Sequence, residues 1–118
     1  MVNTKAALKT LWKDKLMVTE YQKVTKSNKS TGFEEVVVLD DEPCKLSYST
    51  LQTTNQNETE AELVQVTKVF LDDAIKIKSG SKITVRRRDE TLEFSQSGLP
   101  GIFTNHQEIV LVPFAGWA

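Results

Sequence analysis

Pro43-Cys44-Lys45-Leu46-Ser47-Tyr48 alternates apolar with polar side chains, which is the pattern of a half-buried strand. It runs into Ser49-Thr50-Leu51-Gln52-Thr53-Thr54-Asn55-Gln56-Asn57-Glu58-Thr59-Glu60, where Leu51 is the only sizeable apolar side chain. The chain then returns to strand character in Glu62-Leu63-Val64-Gln65-Val66-Thr67-Lys68-Val69-Phe70-Leu71. This reads as two well-specified strands joined by a long polar loop, residues 49–60. Such an excursion inside a small domain is uncommon and points to function or to ordering on a partner.

On either side of this stretch the same strand signals recur. Residues 16–24 read as a first strand and 33–39 as a second, joined by the turn cluster Ser27-Asn28-Lys29-Ser30-Thr31-Gly32. Asp40-Asp41-Glu42-Pro43 reads as a solvated turn, because it lacks the alternating ligands and the glycine of a calcium loop. Cys44, Leu46 and Tyr48 share the inward face of the third strand. In the fourth, Val64, Val66 and Phe70 line one face and Leu63, Val69 and Leu71 the other, so it is expected to be covered on both sides. Ile83 and Val85 point inward on a fifth strand, with Thr84 and Arg86 outward. Leu92 and Phe94 mark a sixth. Ser97-Gly98-Leu99-Pro100-Gly101 reads as a loop, and residues 107–112 as a seventh strand with apolar residues on both faces.

Short strands with turns roughly every 8–12 residues predict an all-β fold, a small β-barrel or sandwich of about six to seven strands. At 118 residues one domain is expected: a helical segment over 3–14, a barrel over 16–112 with a mobile loop at 49–60, and an aromatic tail at 113–118. The helix carries Ala7, Leu8, Leu11 and Trp12 as one apolar stripe. Three turns are marginal alone, so the stripe needs a surface. That surface is the barrel itself or, for Leu8 and Trp12, a neighbouring subunit.

The 15 basic and 16 acidic residues give a net charge of -1, so the whole molecule has no electrostatic pull toward nucleic acid or acidic membrane. The N-terminus lacks the apolar core of a signal peptide, and no apolar run approaches a membrane span. One cysteine excludes an internal disulfide and fits a reducing compartment.

Catalytic chemistry finds little support. One histidine and one cysteine cannot build a zinc cluster, and the five glycines form no phosphate cradle. His106 has Glu108 two residues away on the same strand face, and reads as a surface or hydrogen-bonded structural histidine. Cys44 reads as a small core residue. No enzyme activity, metal or cofactor is expected. Arg86-Arg87-Arg88 is the one concentrated positive feature. It reads either as cross-hairpin partners of Asp89, Glu90 and Glu93, or as a contact for DNA or an acidic partner.

The order of parts resembles the minor capsid proteins of tailed phages of Gram-positive hosts, in particular head-completion or stopper proteins of the head–tail connector. The resemblance runs from Leu16 onward. It rests on layout and on Val18-Thr19-Glu20-Tyr21-Gln22-Lys23-Val24 and the stretch from Thr104 to Leu111. It implies a β-barrel that assembles as a homo-oligomeric ring of about twelve copies, with about six as the alternative. The ring lies under the portal and adaptor, closes the DNA-filled head and offers a docking face to the tail below. The protein is then a virion component of the neck, made in the host cytoplasm. The resemblance makes Leu51, Gln52, Thr53, Thr54, Asn55, Gln56 and Asn57 the assembly loop, lining or plugging the channel that holds packaged DNA. Leu8, Trp12, Phe114 and Trp117 are candidate docking residues for a neighbour. The alternative is an oligonucleotide-binding-type barrel that uses Arg86, Arg87 and Arg88.

Overall fold

A computed structural model describes residues 4–25, 30–54 and 61–117. One helix, α1 (Thr4–Leu11), precedes six strands: β1 (Asp14–Thr25), β2 (Thr31–Thr54), β3 (Ala61–Leu71), β4 (Lys82–Arg87), β5 (Glu90–Ile102) and β6 (Gln107–Pro113). They close into an antiparallel barrel in the order β1-β2-β3-β6-β5-β4, as expected for an all-β chain of this pattern.

The core follows from strand alternation. Each strand turns two side chains, two residues apart, into the barrel: Leu16 and Val18, Cys44 and Leu46, Val69 and Leu71, Ile83 and Val85, Leu92 and Phe94, Ile109 and Leu111. All but Leu92 are buried. Ile75 and Ile77, in the connection between β3 and β4, close one side of this core. The helix docks on its own barrel. Trp12, just past its end, is buried, and Lys9 Nζ lies 2.6 Å from Asp72 Oδ2 and 3.9 Å from Glu42 Oε1.

Three sequence expectations are corrected. First, of the six to seven strands expected there are six, because the second and third segments read as separate strands are one. Asp40-Asp41-Glu42-Pro43 is not a turn: it lies inside β2, with Asp40 and Asp41 in a bulge and Glu42 and Pro43 paired with Leu16 and Lys15. The β1–β2 register shifts on both sides of Val18, and Asp41 takes φ 55° while its N–H donates to Asp40 Oδ1 at 2.8 Å. A short polar side chain tolerates that left-handed conformation. The bulge bends β2 so that one half pairs with β1 and the other with β3.

Second, residues 49–54 are not loop. They continue β2 in unbroken register with β3, from Lys45↔Phe70 to Thr54↔Ala61. Residues 55–60 of the expected loop, including Asn55, Gln56 and Asn57, lie outside the described residues. Third, residues 97–101 belong to β5. Four steps along β5, from Ser97 to Gly101, oppose two along β6, and Gly98 at φ 73° sits in the bulge. Side-chain facing is corrected at two further points. Tyr48 is 45% exposed, because β2 has left the barrel there, and Val112 is exposed at the far end of β6.

Candidate assembly surfaces

The hairpin of β2 and β3 outruns the barrel. The β1–β2 pairing ends at Cys44, and the β3–β6 pairing covers only Thr67 to Leu71. Residues 49–54 and 61–66 therefore form a two-stranded ribbon, and among the described residues its outer edges pair with no other strand. Ser and Thr at 49 and 50, and Val66 opposite Ser49, allow an extended backbone without a buried face. A two-stranded ribbon is marginal by itself in water. A compact chain of this length has a radius of gyration of about 13.5 Å by size scaling, whereas this one measures 17.4 Å. Projecting hairpins account for the excess.

A second ribbon, at the other end of β2, is braced by the chain's own tail. Beyond Thr19, β1 pairs with β2 alone. Tyr21 stacks on Phe33 at 5.4 Å and on Trp117 at 5.1 Å, and Phe114 meets Trp117 edge-on at 5.0 Å. Gly116 at φ 107° turns the chain so that Trp117 Nε1 donates to Glu35 Oε1 at 2.8 Å. The Phe114 N–H donates to Glu93 O at 3.1 Å. Lys82 Nζ lies 3.3 Å from both Glu35 and Glu93, and 5.5 Å from the Phe114 ring centroid. The Trp117 hydrogen bond, helped by Lys82, holds the Glu35 carboxyl below its usual range. Burial works against the Lys82 charge, but its hydrogen bonds to Glu35 and Glu93 prevail and hold it above the usual lysine value. The expected docking residues Phe114 and Trp117 are thus engaged with their own barrel.

Of the helix residues expected to dock on a neighbour, Trp12 is spent on its own fold at 7% exposure and Leu8 is half-buried. The apolar side chain that the helix leaves free is Leu11, 69% exposed.

Among the described residues, the three arginines do not pair across their hairpin. Glu93 is taken by Lys82, and no carboxylate lies within ion-pairing distance of Arg86, Arg87 or Arg88. The expected ion pairs with Asp89, Glu90 and Glu93 are thus not formed, although Glu90 stands opposite Arg87 and, with Asp89, lines a cleft beside Arg87 and Arg88. Arg87 leans on Tyr48, its Cζ 5.9 Å from the ring centroid. Arg88 turns the chain into β5 at φ 55°. Arg86 stands directly opposite Lys15 on β1. Two like charges in that position are destabilising.

The barrel also brings Lys13 and Lys45 to Arg87 and Arg88, around one cleft of about 410 Å³ beside Leu11. Sequence reading missed both lysines, since pairing of β2 and β4 on either side of β1 makes them neighbours. Asp14 brings one carboxylate to the lining of this cleft. Its Oδ2 accepts the buried Leu46 N–H at 2.9 Å.

His106 stacks on Phe103 at 4.9 Å, meets Phe70 edge-on at 5.8 Å and shares a 3.1 Å contact with Glu108, which also reaches Lys68 at 3.7 Å. That is a histidine packed into a surface cluster. Cys44 is fully buried, and burial, reinforced by Asp14 and Glu42, pushes its thiol up to about 12. It is therefore expected to resist a thiol reagent in the native protein near about pH 8, and to be labelled only as fast as the barrel opens. Rapid native labelling, followed by mass spectrometry, would show the site to be more open than this.

Fold and surfaces together define a small closed antiparallel barrel with a projecting two-stranded arm. No family model matches the chain, and no curated protein matches it. Among solved structures, the phage-like element PBSX protein xkdH from Bacillus subtilis matches with a TM-score of 0.50 and 15% identity, over 84% of this chain and 91% of that one. At this identity the likeness is one of fold: the barrel is an architecture that a protein of a phage-like element also has.

Proposed function

We propose that this chain is a structural, non-catalytic component of a tailed-phage neck. It forms a ring under the portal and adaptor, closes the filled head and presents a docking face to the tail. The observation that carries this reading is the arm: a ribbon in firm register whose outer edges, among the described residues, pair with no other strand, projecting from the barrel. Unpaired strand edges are templates for pairing with another chain. The shared fold with a phage-like element protein agrees with it.

Deleting residues 52–57 tests the reading. The core ends at Leu46 on β2 and begins again at Val69 on β3, so the variant is expected to melt within a few degrees of wild type. It is also expected to fail in ring assembly, and heads carrying it to lose their DNA. Unchanged ring formation in electron micrographs of necks would overturn the arm's role. The arginines, without an ion-paired carboxylate among the described residues, favour one competing reading, a barrel that binds nucleic acid. Strong, steeply salt-dependent binding of duplex DNA by the monomer would favour that reading.

A further inference from the structure

We infer that the outer edge of the first part of β2, residues 31–37, is a docking site for an extended basic segment of another protein, which adds to the sheet as a further strand. The inference stands apart from the ring reading, which uses the other end of β2. From Thr25↔Thr31 to Thr19↔Val37, β2 pairs with β1 on one side in regular register. On the other side, among the described residues, no strand pairs with it, since pairing with β3 begins only at Lys45. No turn or loop backbone hydrogen bond of the described residues reaches this stretch either. A row of peptide N–H and C=O groups therefore faces outward. Such rows take up extended peptides as added strands.

Native edges of this kind are blunted by lysine, proline or a bulge. Thr31-Gly32-Phe33-Glu34-Glu35-Val36-Val37 has neither lysine nor proline, and the bulges of β2 lie beyond Val37. Strand alternation puts Phe33, Glu35 and Val37 on the face of Tyr21, and Glu34 and Val36 on the other. On the first face the charge of Glu35 is met by Lys82, while Phe33 is 58% and Val37 53% exposed. On the second, Glu34 stands opposite Gln22, and Glu20 opposite Val36. Glu20 accepts the Gln22 side-chain N–H at 2.9 Å and lines a cleft that also holds Lys78. Among the described residues neither Glu20 nor Glu34 has a cation within ion-pairing distance. The complementary strand alternates apolar side chains, against Phe33 and Val37, with lysine or arginine, beside Glu34 and Glu20. A second copy is the competing occupant. The same edge on two copies pairs antiparallel about a twofold, and the register that uses the whole regular stretch sets Glu34 opposite Glu34. Like charges directly opposite are destabilising, so the acids turn away another copy and admit a basic strand.

The probe is a fluorescent, end-blocked peptide alternating valine with lysine, titrated with the full chain. It is expected to bind, and the same peptide with glutamate for lysine to bind at least about tenfold more weakly. Of two versions methylated at the valine or at the lysine backbone nitrogens, one is expected to lose binding, because a strand pairs through one edge. Hydrogen exchange is expected to slow at amides within residues 31–37 and to stay unchanged in the arm at 49–54. Glu34→Lys, at an exposed position, is expected to leave the melting temperature unchanged and to weaken binding of the lysine peptide by about fivefold. Equal affinity for the lysine and glutamate peptides, binding that survives both methylations, or protection elsewhere in the chain overturns the inference. So does dimerisation of the full chain that slows the same amides, which gives the edge to a second copy.

Discussion

Leu71→Ala is expected to lower the unfolding free energy by about 2–5 kcal/mol, toward the upper end of that range. Leu71 is completely buried, in line with Val69 and across the barrel from the other inward side chains. Truncation removes its transfer free energy and leaves a cavity, and the cost of the cavity depends on how far the walls can relax. Here they relax little. The strand carrying Leu71 is hydrogen-bonded to β2 on one side and β6 on the other, in a closed barrel. Moving it inward would break ladder bonds on both sides. A domain of this size is stable by only about 5–15 kcal/mol, so the loss is a large fraction of the whole. Chemical denaturation reads it as a lower midpoint at unchanged slope. Leu99→Ala is the matched control: its side chain is 92% exposed on the β5 bulge, and its effect should stay within about 0.5 kcal/mol. Equal effects of the two variants would mean that the barrel interior is not the source of stability.

What the sequence makes legible, and what it hides, divides along the same line as these two leucines. Pairs such as Cys44 and Leu46, Ile83 and Val85, or Ile109 and Leu111 announce their shared face, because the strand period of two is strict. That was enough for an all-β barrel and for most of its core. The bends stayed hidden. Asp40-Asp41-Glu42-Pro43 and Ser97-Gly98-Leu99-Pro100-Gly101 have the composition of turns, and local composition alone cannot tell a turn from a bulge. Neighbouring strands decide it. β1 pairs with β2 on both sides of Asp40 and Asp41, and β6 resumes its register with β5 at Gly101. The polar run at 49–54 misleads for another reason. A lack of apolar side chains shows that no face is buried, not that the backbone is unpaired. The basic cleft is the extreme case. Three arginines stand together in sequence, but Lys13 and Lys45 join them only through pairings between distant segments, and the lack of an ion pair to these cations among the described residues becomes visible only in three dimensions.

Gln107→Ala is expected to destabilise the fold by about 2–4 kcal/mol, although it removes a polar side chain from the start of a strand. Gln107 is buried, and its Nε2 donates to Asp72 O at 2.8 Å and to Ile75 O at 2.6 Å. Through these two bonds it ties the β3–β4 connection to β6 and holds Ile75 against the core. Asp72 O keeps a second donor in the Ile75 N–H at 3.1 Å, so the larger share of the cost falls on Ile75 O. A carbonyl left without a donor in a buried place costs about 1–3 kcal/mol, and the loosened isoleucine adds to it. Gln107→Glu separates the hydrogen bond from the volume. Its carboxylate has no donor to offer the two carbonyls, whereas its protonated form has one. The folded state therefore favours the protonated acid and raises its pKa. In the unfolded chain the same group ionises near about 4.3. Relative to wild type, the variant should be least impaired below that pH and lose stability as the pH rises above it, until the folded group also ionises. Unfolding midpoints measured for both proteins across that range give the sign directly. A difference that does not change with pH would show that Gln107 acts by packing alone.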